Sequence, residues 1–378
     1  MAVSAVGAGL LGSGFDLQGP ESMLQALGVL ALTVTVHEAG HFLAARTQNI
    51  HVTKFSVGFG PILWKWQGGE VEYSLRALPL GGFVAFPDDD PQSKFAPDDP
   101  DLLRNRPVKD RIAVVCAGVV ANMIFAYLTC VTQANTVGVA EASYKPGVLV
   151  GVVNEGAAGQ RAGLQRGDVL LEVGTLKVAP APDSVQAVVR TISVNPKREL
   201  TFKVERAGEV LTIPVTPAEQ PDGGGRIGVS LAPNAMINRA KASNPLEALA
   251  LGAKELSELT KGVVKGLSQF FTNFQQSAEQ VSGPVAILAV GAEVARRDIS
   301  GLYQFAALVN INLAVVNILP LPALDGGTLC LYLLEIARGG RKLDLELEAC
   351  INSAGITLLT LLGIYLLTRD LATFLGAT

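Results

Sequence analysis

The sequence predicts a polytopic α-helical membrane protein of about four transmembrane segments, with a membrane-associated β-hairpin region and an inserted, mostly-β, water-facing domain. Three observations carry this. The 378 residues are 49% hydrophobic and 17% charged, with a mean hydropathy of +0.36, too apolar for an ordinary soluble chain. Four apolar stretches, 23–45, 112–131, 302–337 and 350–368, approach or exceed the ~20 residues that a spanning helix needs. Residues 146–216 instead break into short strands between turns, "GVLVGVV", "GDVLLEVG", "LTFKVER" and "EVLTIPV".

Net charge is −4 and no basic tract is present, so global charge gives no case for nucleic-acid binding. Cys116, Cys130, Cys330 and Cys350 form no C-x-x-C pair and imply no disulfide framework; they read as small buried hydrophobes.

Residues 1–22 read as an N-terminal tail. They lack the basic n-region of a signal peptide and the Arg-rich composition of a transit peptide, and the first basic residue is Arg46. Either the first span inserts the chain, or a targeting segment was removed. Residues 23–133 form the first part of the membrane core. Within it, "EVEYSLRALPLGGFVAF" (70–86) begins with strand alternation at Val71, Tyr73 and Leu75. The acidic loop "PDDDPQSKFAPDDPD" that follows matches no calcium-binding loop spacing and reads as solvated. Lys and Arg concentrate after the first span (Arg46 to Arg111) and after the third (Arg338, Arg341, Lys342). The positive-inside rule places both loops on the cytosolic side or its organellar equivalent, with the termini and the 146–216 domain opposite.

Residues 217–243 read as a linker, introduced by "PAEQPDGGG". Residues 244–298 read as amphipathic helices. Asn244 is a candidate cap, Pro245 suits a first turn, and Leu246, Leu249, Ala253, Leu256 and Leu259 recur at helical spacing. Such a helix lies on a membrane surface or packs on protein. Residues 299–370 complete the membrane core.

The chemistry begins at "TVTVHEAGHFLAAR" (33–46). His37 and His41 are four apart, so on a helix both imidazoles share a face and grip one metal ion. Glu38 lies about 100° around and reaches a water held by that ion without ligating it. H-E-x-x-H on a helix is a fairly specific zinc-hydrolase signal, and ionisable groups inside an apolar span are expected to be functional. A catalytic zinc normally takes three protein ligands and keeps one open position. His51 lies beyond the span among polar residues and reads as a surface histidine, so a carboxylate is expected as the third ligand. Glu70 and Glu72 fall in the hairpin, where a solvated face explains them. Asp325 sits inside an apolar stretch, in "NILPLPALDGG" (317–327). Pro320 and Pro322 break the helix there, and Gly326 and Gly327 are expected to let the backbone turn. Irregular backbone at membrane depth is tolerated where it is buried in protein or lines a wet cavity. The amides of Asn317 and Asn312 are candidates for holding a peptide or stabilising an oxyanion; helix–helix glue is the alternative for both.

HEAGH (37–41), "PLGGF" (79–83), "VSGP" (281–284) and N-x-x-P-x-P-x-L-D-G-G (317–327) occur in an order that resembles the site-2 protease family of intramembrane zinc metalloproteases. "KFSVGFGPIL" and "GLYQFAALVNINLAVVNILPLPALDGGTL" look most like its chloroplast and cyanobacterial branch. The resemblance covers roughly residues 23–370. It implies that His37, His41 and Asp325 ligate one Zn2+, that Glu38 acts as general base and then acid, and that Asn317 stabilises the tetrahedral intermediate or places the substrate. It implies that Leu80, Gly81, Gly82 and Phe83 belong to a membrane-embedded loop that pairs with an unwound substrate strand. Single-span membrane proteins are the implied substrates. A plastid membrane is the implied location, with a cyanobacterial or bacterial inner membrane as the alternative. Residues 146–216, through "AGLQRGDVLLEVG", resemble one PDZ domain in circularly permuted form. Such domains take a peptide or chain end along a strand edge; a size filter, a partner-binding module and a rigid cover all stay open for it. The rival classes are an ion-coupled transporter, for which a second broken span is missing, and a non-catalytic membrane scaffold or chaperone working through the PDZ-like domain.

Overall fold

The computed structural model describes residues 20–89, 93–220, 223–272, 283–297 and 299–374. Most of the tail read over 1–22 lies outside them, as do Val281 and Ser282 of the "VSGP" motif. In chain order the elements are α1 (Pro20–Thr47), β1 (Lys54–Gly68), β2 (Val71–Ala85), α2 (Val108–Thr136), β3 (Val139–Val153), α3 (Ala158–Arg161), β4 (Val169–Val173), β5 (Leu176–Lys177), α4 (Ser184–Ser193), β6 (Leu200–Arg206), β7 (Glu209–Val215), β8 (Ala218–Glu219), β9 (Gly225–Arg226), β10 (Val229–Ala240), α5 (Pro245–Thr272), α6 (Pro284–Arg297), α7 (Ile299–Asn317), α8 (Asp325–Ala337) and α9 (Leu345–Phe374). They divide into two compact units, one comprising the chain up to Val139 and from Lys241 onward, the other Ala140–Ala240.

In the first unit α1 ends at Asn49, whose φ of 57° is the left-handed conformation that closes a helix, with Ile50 N–H bonded back to Ala45 O at 2.9 Å. α2 follows Pro107 and ends at Gly138 (φ 84°), where Val137 and Gly138 both donate to Gln133 O. Its faces divide cleanly. Val114, Gly118, Asn122 and Ala126 point inward, whereas Val120, Ile124 and Leu128 are each about half exposed, an apolar stripe suited to lipid. Asn244 Oδ1 accepts Glu247 N–H at 2.9 Å and so caps α5.

Among the described residues three helices are long and apolar enough to cross a membrane: Glu21–Thr47, Val108–Thr136 and Glu346–Asp370. With the β-sheet regions they make this a membrane protein with a β-rich part. The stretch expected as one broken span, 302–337, is two helices, of 19 and 13 residues. Pro320 and Pro322 stop the first, and the second, at about 20 Å, is shorter than a bilayer's ~30 Å apolar core.

α7 packs on α1 and α2, burying Ala307, Ile311 and Ala314. Asn310 donates to Thr33 Oγ1 across the α7–α1 contact at 2.9 Å. At Gly40 a Cβ would stand 2.4 Å from Ala117 O, so α1 and α2 approach to backbone distance. Cys130 is buried, but Cys330 and Cys350 face outward, correcting the expectation of four buried thiols; on helices bathed in lipid an outward cysteine is still in apolar surroundings.

The hairpin is larger than the alternation at 71–75 indicates. β1 and β2 join at Gly69 (φ 66°), and Lys54–Val57 is flanked by Glu72–Leu75 on one side and Gly82–Ala85 on the other. Two long strands thus curl into a sheet of four segments. Gly58 (φ 91°) bends β1 against the Leu78 carbonyl, where a Cβ would stand at 2.8 Å.

The second unit is a six-stranded sheet in the order β10-β3-β4-β6-β7, with β5 paired to β4. Val148, Val150, Leu170, Phe202 and Val204 alternate inward and meet Val188 and Ile192 of α4. Residues 217–243, read as a linker, contain β8 and β9, which pair with each other, and β10, which forms an edge of the sheet. Glycines and Pro233 dilute the alternation there, and β10 is recognisable only beside β3.

Candidate metal centre

α1 brings His37 and His41 to one face with ring centroids 4.7 Å apart and Nε2 atoms 3.2 Å apart. Asp325 Oδ2 stands 3.2 Å from His37 Nε2 and 3.5 Å from His41 Nε2. Ligand atoms about 2.0 Å from one ion at tetrahedral angles lie about 3.3 Å from one another. The three atoms therefore outline one face of a tetrahedral site and could hold a single divalent cation. Asp325 Oδ2 is buried without a hydrogen-bond partner, which fits an atom that serves a cation. Gly118 adds a second mark of fit: a Cβ there would come within 2.4 Å of His41 Nε2 and 2.8 Å of His37 Cε1, so its absence keeps that space open.

The loop 318–324 delivers Asp325. Ala323 takes φ 69°, Leu324 precedes the first turn, and Asp325 opens α8, where the helix dipole favours a carboxylate. Gly326 and Gly327 do not turn the backbone as expected. They lie inside the first turn of α8, where a Cβ would stand 2.2 Å from Leu319 O and 2.3 Å from Leu321 O respectively. They permit the preceding loop to press on the helix.

The outer ring nitrogens are held by α2. Val114 O lies 2.8 Å from His41 Nδ1; a carbonyl only accepts, so Nδ1 carries the proton and Nε2 offers its lone pair to the centre. The Asn122 amide is 3.2 Å from His37 Nδ1, and the Asn317 amide is 3.1 Å from His37 Nε2. Both asparagines are buried.

Glu38 lies beside His41, His37 and Asp325, and the Val84 N–H bonds its carboxylate. Gly82 makes this contact possible, since a Cβ there would stand 2.9 Å from Glu38 Cγ and 2.8 Å from Ser56 O. Gly81 presses on the Phe59 ring, and Phe83 lies under the Arg76 guanidinium at 5.4 Å. Leu80 belongs to β2; its side chain lies outside the described residues. Asn312 is exposed and donates to Leu308 O of its own helix at 2.9 Å, apart from the other candidates. His51 belongs to a separate group, between Glu70 and Asp99, with Asp101 nearby already paired to Arg106. Sequence reasoning missed Val114, Gly118, Asn122 and Val84. The first three recur every four residues along α2, but nothing local singles them out from the small and polar residues around them.

Residues 25–362 match peptidase family M50, the site-2 protease family. The chain is 53% identical to the membrane metalloprotease ARASP, chloroplastic, of Arabidopsis thaliana, over 95% of this chain and 80% of that protein. It is 45% identical to a putative zinc metalloprotease of Nostoc sp., over 92% of this chain and 95% of that one. To the regulator of sigma-W protease RasP of Bacillus subtilis it is 28% identical, over 91% and 96%. The chain belongs to peptidase family M50, the class of membrane peptidase to which an H-E-x-x-H helix facing a distant aspartate points.

Proposed function

We propose that this chain is a zinc-dependent intramembrane endopeptidase acting on membrane-spanning substrates, with His37, His41 and Asp325 holding one Zn2+. The convergence of three ligand atoms within 3.2–3.5 Å, from residues near opposite ends of the chain, carries the reading. Zinc supplies Lewis acidity when bound, making a water nucleophilic near neutral pH and polarising the scissile carbonyl. Glu38, steadied by Val84 N–H, takes the proton of that water on its carboxylate and returns it to the leaving amide nitrogen. Asn317, beside His37 Nε2, is placed to donate to the oxyanion or to the substrate backbone. The segment Gly82–Ala85 has strand partners on one side only among the described residues, so its other edge, apart from the Val84 N–H that bonds Glu38, is open to pair with an unwound substrate. A helical substrate hides its scissile bond within hydrogen-bonded turns, and strand pairing exposes it.

α7 and α8, with the loop between them, form the third of four membrane passages in this reading, and single-span proteins are the substrates. The relatives' names favour a plastid membrane, with a cyanobacterial-type membrane as the alternative. The second unit is read as PDZ-like. A groove of about 490 Å3 lies between α4 and β10, floored by Ile192, Ile227, Val229 and Leu231, and β10 is an edge strand, as capture of an extended peptide or chain end requires. Neither a transporter nor a scaffold accounts for two imidazoles and a carboxylate converging beside Glu38.

Glu38→Gln tests the proposal. The variant is expected to keep its zinc and fold and to lose cleavage, so that single-span proteins accumulate uncut in comparative membrane proteomics; undiminished cleavage overturns the enzyme reading.

A further inference from the structure

Val114, Gly118 and Asn122 stand four residues apart on α2 and together form a wall behind the two histidines. Val114 fixes the proton of His41 on Nδ1. Asn122 occupies the corresponding place behind His37: it is fully buried, its amide lies 3.2 Å from His37 Nδ1, and its Oδ1 has no hydrogen-bond partner. An amide in the middle of an apolar helix, within reach of a ring nitrogen, is a poor choice for packing alone.

We propose that Asn122 is a positioning residue that sets the tautomer and orientation of His37. This rests on the zinc assignment above. For His37 Nε2 to present a lone pair to the ion, the ring proton must sit on Nδ1, and Nδ1–H then needs an acceptor. The Asn122 carboxamide is the group in reach. Its oxygen and nitrogen have nearly the same shape, so a half-turn about its terminal bond puts Oδ1 opposite Nδ1–H without moving the backbone. Either orientation leaves one amide atom unpaired; the requirement at Nε2 decides between them. α2 thus holds both imidazoles by their outer nitrogens, one through a main-chain carbonyl and one through a side chain, while Gly118 between them leaves the ion its space.

The test measures zinc affinity of the full-length protein in detergent by competition with a chromophoric chelator. The variants are Asn122→Leu, Asn122→Asp and, as a control, Asp325→Ala. Asn122→Leu keeps the branching at Cγ and loses the acceptor; its affinity is expected to fall about 10–100-fold. Asn122→Asp keeps an acceptor and is expected to bind zinc within about threefold of the parent or more tightly. A purely structural role predicts no such rescue. Unchanged affinity in Asn122→Leu, or equal weakening in both variants, overturns the role given to Asn122. Should Asn122→Leu not fold, Asn122→Asp decides alone: binding more than about threefold weaker than the parent overturns it. Unchanged binding in Asp325→Ala overturns the ligand assignment and this role with it, whereas the other results overturn the role alone.

Discussion

At Gly118 the missing side chain matters most. A methyl group would stand 2.4 Å from His41 Nε2, where the three proposed ligand atoms converge. Gly118→Ala is expected to abolish stoichiometric zinc, as read by elemental analysis. Asp325→Asn removes the charge of the proposed third ligand and is expected to weaken zinc binding in the same assay. His51→Ala is expected to leave zinc unchanged, because His51 faces Glu70 and Asp99 rather than the centre; loss of metal there would revive a three-histidine site. His37, Glu38 and His41 are legible in the sequence because a helix's period converts a spacing of four into a shared face. Asp325 is legible because an aspartate in an apolar stretch needs a partner. Asn122 and Gly118 are not, since their importance lies in what α1 places against them.

At the level of elements, the geometry depends on how α8 is held, because Asp325 is its first residue. Glu335, on the same helix, forms a buried ion pair with Arg111 of α2 at 2.6 Å, and the Arg111 guanidinium lies 4.7 Å from the centre of the Tyr332 ring. Removing one member strands a charge. Glu335→Ala is expected to lower stability by about 3–5 kcal/mol in thermal or denaturant unfolding of the solubilised protein. Replacing both, Arg111→Met with Glu335→Leu, is expected to recover most of that loss, because the pair's desolvation is then also removed. If the double variant is as unstable as the single, the pair has a role beyond mutual neutralisation. Proline chemistry places the break before α8 correctly. Sequence alone predicts a turn at the twin glycines; they are instead sites of close approach, a difference set by the neighbouring carbonyls rather than by the glycines themselves.

Across the whole molecule, the second unit carries its own core and its own electrostatic pin. Asp168, almost fully buried, accepts two bonds from Arg206 at 2.8 Å and one from Gln165 N–H at 2.8 Å. The Arg206 hydrogen bonds hold its carboxyl below the usual carboxylate range. A depressed folded pKa means that the stabilisation is complete above the unfolded value of about 3.9 and is lost as pH falls through the lower folded value. Asp168→Asn is expected to lower the unit's unfolding transition at pH 7 and to flatten its dependence below about pH 4; a variant with the parent's acid profile removes this pair from the explanation.

The sequence by itself determined the class of chemistry and the stretches in which its proposed parts lie. Helical period, apolar run length and the isolation of a charge in an apolar stretch are local properties that a single strand of residues carries. Only the tertiary structure decided what closes around them: the α2 wall behind both imidazoles, the four-segment sheet that brings Val84 to Glu38, and the edge strand β10 in a stretch that reads as a linker. Each of these depends on backbone groups or missing side chains meeting partners far away in the chain, and a hydrogen-bonding carbonyl or an absent Cβ acquires its role only from the neighbour that folding supplies.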